Sequence, residues 1–100
     1  MARHASRQLL ITPVAEADIA EIWAYVADDS PKNATAFIEQ IQAKFAPLLE
    51  FPGMGAPRDK IFEGLRAAPY RNYVIYYVHS DRDVTIIRVV HGARDVAALF

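Results

Sequence analysis

Apolar and polar positions in this chain follow two different periods. Arg7 to Ile11 is a short apolar run that reads as a first strand behind a frayed start. Thr12-Pro13 then marks a helix N-terminus, with Thr12 as cap, Pro13 at the first helical position, and Glu16 and Asp18 complementing the positive end of the dipole. Ala15, Ile19, Ile22, Trp23 and Val26 recur at helical spacing as one apolar face, while Asp18, Glu21 and Asp28 are placed off it. Ser30-Pro31 repeats the punctuation and opens a second helix whose face is Ala34, Phe37, Ile38, Ile41, Phe45 and Leu48. Pro47 predicts a kink or an end near Ala46, because an interior proline removes a backbone hydrogen bond and clashes with the preceding turn.

From Phe51 to Arg58 the string FPGMGAPR is rich in breakers and reads as a loop. A short strand is expected over Ile61 to Ala67, leading through Ala68-Pro69 to two long runs, Tyr73 to Val78 and Val84 to Val90. The polar His79-Ser80-Asp81-Arg82-Asp83 between those runs marks a hairpin turn, a simpler reading of its histidine and two aspartates than a metal site. The order strand, helix, helix, strand, strand, strand predicts an α+β domain. An N-terminal strand, an antiparallel two-helix hairpin and a three-stranded antiparallel meander would form one antiparallel sheet with the helices on one face. Neither long strand alternates cleanly, which suggests that the second sheet face is covered by a partner.

With 100 residues the chain suits a single domain over 1–100, and 53% hydrophobic against 23% charged residues is the balance of a globular protein. The absence of cysteine excludes disulfides and thiolate metal sites and fits a reducing cytoplasm. No apolar stretch is long enough for a membrane span, and Pro13, Glu16 and Asp18 interrupt anything resembling a secretory leader. The formal net charge of -1 conceals an asymmetry. Between Pro13 and Glu50 acidic residues dominate, whereas from Leu65 onward Arg66, Arg71, Arg82, Arg88 and Arg94 outnumber the aspartates. A nuclease docking on ribosomal RNA would want a strongly positive face, which this balance does not supply.

Two strings carry a family resemblance: Pro69-Tyr70-Arg71-Asn72-Tyr73-Val74-Ile75-Tyr76-Tyr77, and Arg88-Val89-Val90-His91-Gly92-Ala93-Arg94-Asp95. Together with the helical N-terminal half they resemble the ParE toxins of bacterial type II toxin-antitoxin systems, within the RelE/ParE superfamily. The HGARD ending is the most specific part, and no single motif is diagnostic of activity. The resemblance implies a non-catalytic inhibitor that binds DNA gyrase protein-to-protein. It also implies a cognate ParD-like antitoxin that wraps the toxin's groove with a partly disordered segment. No cofactor, no metal, no membrane and no sequence-specific nucleic-acid binding by the toxin alone are implied.

The RelE-like branch offers a rival, a ribosome-dependent messenger-RNA nuclease. Such an enzyme needs a base for the 2′-hydroxyl proton, an acid for the leaving oxygen and cations for the phosphate. Arg71 matches the arginine that enters the third strand in RelE-like enzymes, and Arg94 matches a later basic residue. Phe62-Glu63-Gly64 stands where their basic pair would lie, and the tail Val96-Ala97-Ala98-Leu99-Phe100 has no tyrosine. His91 reads either as a general acid or base or, preferably, as a strand-end imidazole that hydrogen-bonds the following turn. His4, in the frayed start, supports neither. If a nuclease, the catalytic set would be Arg71, His91 and Arg94. For binding antitoxin or target, the candidates are Arg66, Arg71, Tyr73, Arg88, His91 and Arg94. The arginines could grip carboxylates in bidentate fashion, or each could pair internally with Asp95, Asp59 or Glu63. Trp23, Tyr25, Tyr70, Tyr73, Tyr76 and Tyr77 read as core or antitoxin contacts rather than base-stacking platforms. A third reading is a domain that binds antitoxin but has lost toxicity.

Overall fold

The computed structural model describes residues 7–100, so the expectations about the start of the chain and His4 lie outside the described residues. Strand β1 spans Gln8–Ile11 and helix α1 spans Pro13–Ala27. The junction forms as the sequence dictates: the Thr12 hydroxyl accepts the Ala15 N–H at 3.0 Å while donating to the Ile87 carbonyl at 2.9 Å. One side chain thus caps the helix and ties it to the sheet. Helix α2, Pro31–Ala43, starts in the same way, with the Ser30 hydroxyl accepting the Asn33 N–H at 3.2 Å.

Helix α2 ends three residues before Ala46, and a short helix α3, Phe45–Glu50, follows Lys44. Pro47 is the cause. Its nitrogen cannot donate to the Ala43 carbonyl, so α2 stops at Ala43, and Pro47 falls in the first turn of α3, where donors lack intrahelical partners anyway.

A five-stranded sheet has the order β1-β5-β4-β3-β2, with β2 Ala56–Pro57, β3 Arg66–Tyr70, β4 Tyr73–His79 and β5 Asp83–His91. The α+β class and the helix-covered sheet stand, but the pairing is mixed rather than purely antiparallel. Strand β1 lies parallel to β5, Gln8 opposite Asp83 and Ile11 opposite Ile86. A tight hairpin would force neighbouring strands to run antiparallel, and the helices and three further strands that separate β1 from β5 in the chain free this pair of that constraint.

The strand expected at Ile61 to Ala67 begins instead at Arg66, and Ala68-Pro69 belong to it. Residues 58–65 close a turn, with the Arg58 N–H donating to the Leu65 carbonyl, the Gly64 N–H donating to Asp59 Oδ1 and Gly64 at φ 88°. Pro69 fits inside β3 because the two-residue loop Arg71-Asn72 makes Tyr70 opposite Tyr73 the bonded pair and leaves Pro69 opposite Val74 unbonded. Its missing donor then faces the edge that two-residue β2 leaves open.

The blurred alternation has a local cause as well. Tyr76 pairs with Arg88 and Tyr77 with Ile86, so Ile87 is an extra residue that shifts the phase of β5. On the helix side, Ile75, Tyr77, Val84, Ile86 and Val89 pack against Ala15, Ile22, Ile41, Phe45 and Leu48. On the other side Ala67, Tyr76 and Val90 are buried with Leu65 beneath Ile61, Phe62, Val96 and Leu99. Phe100 meets Phe62 and Tyr76 edge-on at 5.5 and 5.7 Å. The second face is therefore covered by the chain's own turn and its 3-10 tail Val96–Leu99, which corrects the expectation of a partner there.

Candidate functional site

A groove of about 610 Å³ opens between the helical hairpin and the ends of β4 and β5. Ile22 and Val26 of α1, Phe37 of α2, Tyr73 of β4 and Val89 and Val90 of β5 give it an apolar lining. Glu21 and Tyr25 stand on the helical side, and His91 and Arg94 on the strand-end side. Tyr73 is half-buried, with its ring 5.7 Å from that of Phe37 and 5.5 Å from His91. Burial, with a smaller push from Tyr25, holds its hydroxyl pKa above the ordinary tyrosine value. His91 Nδ1 accepts the Ala93 N–H at 3.0 Å, so the neutral ring carries its proton on Nε2, and the histidine organises the turn that carries Arg94.

Asp18 and Arg88 meet at the base of this groove. The guanidinium donates from Nε at 2.7 Å and from Nη2 at 2.8 Å, and the same carboxylate accepts the Val89 N–H at 3.0 Å. Only 9% of the Asp18 side chain and 16% of the Arg88 side chain remain accessible. The hydrogen bonds that Arg88 donates to Asp18 hold its pKa above its already high ordinary value, overriding the opposing effect of burial. Strand β1 stops at Ile11, and the Asp18 carboxylate supplies the acceptor that Val89 would otherwise lack on that side of β5.

Asp18 was placed off the helix's apolar face, and the structure reverses that placement. It is buried, while Trp23, expected on that face, is 40% exposed and donates its indole N–H to Thr35 Oγ1 at 3.1 Å. The spacing held the signal: Asp18 stands three residues after Ala15 and four before Ile22, within the inward stripe. A lone acid there requires a cation, and Arg88 inside an apolar run requires an anion.

The named arginines do not share a face. Arg66 donates through Nη1 to the carbonyls of Gly53 at 3.1 Å and Gly55 at 2.6 Å, latching the loop before β2 onto β3. Beneath that latch the buried Tyr77 hydroxyl donates to the Pro52 carbonyl at 2.6 Å and accepts the Gly55 N–H at 2.9 Å. A side chain at position 55 would place its Cβ 2.4 Å from that hydroxyl, so glycine is required by contact alone. Arg71 occupies the first position of the β3–β4 loop at φ 54°, in the left-handed region where glycine is the usual residue. Its Nε donates to the Tyr70 hydroxyl at 3.1 Å. Of the six candidates, Tyr73, His91 and Arg94 come together in the groove, Arg88 lies beneath it, and Arg66 and Arg71 are elsewhere.

Among the described residues no helix is long and apolar enough to cross a membrane, and no group of three histidine, aspartate or glutamate side chains is arranged to hold a metal ion.

A family model described as the ParE toxin of the type II toxin-antitoxin system parDE matches residues 9–96. Toxin ParE1 of Caulobacter vibrioides is 32% identical over 85 residues, covering 84% of this chain and 88% of that protein. Toxin ParE3 of the same organism is 31% identical over 67 residues, 67% of each chain. A solved structure described as the chromosomal ParDE TA system from P. aeruginosa superposes with a TM-score of 0.73 at 22% identity, covering 86% of this chain and 96% of that one, a likeness of fold.

Proposed function

The chain belongs to the ParE toxin family of type II toxin-antitoxin systems, and from that premise we propose that it is a cytoplasmic toxin that disables DNA gyrase by occupying its surface and is held silent by a ParD-like antitoxin. The observation that carries this reading is the groove: an apolar lining open to solvent, with Glu21 at one side and His91 and Arg94 at the other. That is a receptor for an amphipathic segment that orders on binding, burying apolar side chains in the lining and meeting charges at the rim.

The layout of the basic residues supports inhibition by binding over RNA cleavage. Arg71 lies at the β3–β4 loop beside Tyr70, while His91 and Arg94 line the groove and His91 Nδ1 is engaged by the chain's own Ala93. Phe62 covers the second sheet face where the RelE-like basic pair would stand. General acid–base work on a ribose hydroxyl needs converging donor and acceptor groups, and Arg71 does not line the groove that holds His91 and Arg94.

The test adds purified protein to gyrase and relaxed plasmid, and in parallel to translating ribosomes. Loss of supercoiling with stabilised cleaved DNA and intact transcripts is expected. Codon-periodic cuts in the transcripts would replace this reading with the nuclease, and normal growth on overexpression would replace it with the non-toxic, antitoxin-binding domain.

A further inference from the structure

Phe37 and Gln40 of helix α2 and Lys44 at its C-cap follow one another at intervals of three and four residues and meet the β3–β4 loop. The Lys44 ammonium stands 5.2 Å from the centroid of the Tyr70 ring, and the Arg71 guanidinium 5.5 Å from the same centroid. The Tyr70 hydroxyl donates to Gln40 Oε1 and accepts from Arg71 Nε. Lys44 and Arg71 are both exposed, and neither forms an ion pair among the described residues. Two cations are thus gathered on one aromatic ring with no anion between them, and Arg71 is held there by a backbone conformation that a non-glycine residue adopts at a cost.

We propose that Lys44, Tyr70, Arg71 and Gln40 form a carboxylate-binding site that takes an aspartate or glutamate side chain of the same partner segment that fills the groove. This rests on the antitoxin reading above and extends it to a second anchor. The two places are physically continuous, because Tyr70 packs on Phe37 at 5.9 Å, Phe37 on Tyr73 at 5.7 Å and Tyr73 on His91 at 5.5 Å. A segment lying along this aromatic row has apolar contacts along its length and a fork of cationic donors at its end. The charge pattern favours a protein carboxylate over a nucleic-acid phosphate. Nucleic acid binds along a track of cations with open rings for its bases, whereas here the one ring is taken by Lys44 and Arg71, and Glu39 and Glu50 lie on the adjoining helices.

The test titrates isotope-labelled protein with blocked hexaglutamate, blocked hexaglutamine and hexauridylate, following the Arg71 Nε–H, Gln40 amide and Tyr70 ring signals by NMR. Hexaglutamate is expected to shift them saturably, hexaglutamine to leave them in place, and Lys44→Gln with Arg71→Gln to weaken hexaglutamate about tenfold or more with the rest of the spectrum retained. Equal responses to the two peptides, an undiminished affinity in the double variant, or tighter binding of hexauridylate would overturn the site. The gyrase and ribosome assays read the proposed function without any peptide, so a failure there and a failure here are separate results.

Discussion

Arg88 in β5 and Arg71 in the β3–β4 loop carry the same guanidinium, yet one is spent inside the molecule and the other is offered outside it. Arg88 has a bidentate carboxylate, a half-buried setting and a neighbouring N–H served by the same acid. Arg71 has a tyrosine hydroxyl, a shared aromatic ring, an exposed setting and a strained backbone. Charge in a sheet is therefore informative only once its partner is known. The committed cation fixes the groove's base, and the uncommitted one marks where something else binds.

The sharpest way to break that contrast is to remove the acid. Asp18→Ala leaves Arg88 and the Val89 N–H without their acceptor, and urea denaturation should show a loss of about 4 kcal/mol. Asp18→Asn, which keeps an acceptor, should lose less. A loss under about 1 kcal/mol for the alanine variant would make the pair ornamental.

Tyrosine gives a neutral version of the same contrast. Tyr77→Phe deletes two buried hydrogen bonds at the loop latch and should cost about 2 kcal/mol in thermal or urea unfolding, whereas Tyr70→Phe should cost about 0.5 kcal/mol. Alkaline titration tests the same burial. The hydroxyl pKa values of Tyr73, Tyr76 and Tyr77 are raised above 10.0, chiefly by desolvation. The unfolded chain therefore releases these protons first, and stability should hold below pH 10 and fall as pH rises through the folded-state values. Urea midpoints on either side of pH 10 would read the decline, and Tyr77→Phe should reduce it.

The smallest effect belongs to the exposed site. Lys44→Gln should change stability by less than about 0.5 kcal/mol. Arg71→Gly should leave the fold intact and stabilise it by up to about 1 kcal/mol by relieving the left-handed backbone, while weakening the hexaglutamate response. A stability loss there would place Arg71 with Arg88, as a structural residue.

Local chemistry made much of the fold readable. Thr12-Pro13 and Ser30-Pro31 give both helix starts because capping is decided by adjacent residues. The hairpin of β4 and β5 follows from two apolar runs and a polar break. What escaped was non-local. The parallel β1–β5 pairing, the Asp18–Arg88 pair and the tail over Tyr76 join residues far apart in sequence, and no window of the chain contains both partners. The extra Ile87 hid the alternation that would have separated the two faces. Of the site, Tyr73, His91 and Arg94 were found through their resemblance to a known family, and Tyr70 only as one aromatic among several. Gln40 and Lys44 carry no such signal, because apolar periodicity marks only the buried face, where Phe37 and Ile41 lie, and both polar residues are exposed beside it.

The parallel seating of β1 on β5 also sets a schedule for synthesis. Among the described residues β1 pairs only with β5, the last of the five strands in chain order, so a growing chain displays its helical hairpin with the apolar stripe open until β5 is translated. The groove therefore takes its shape only once β5 has been made and seated against β1 and the helices.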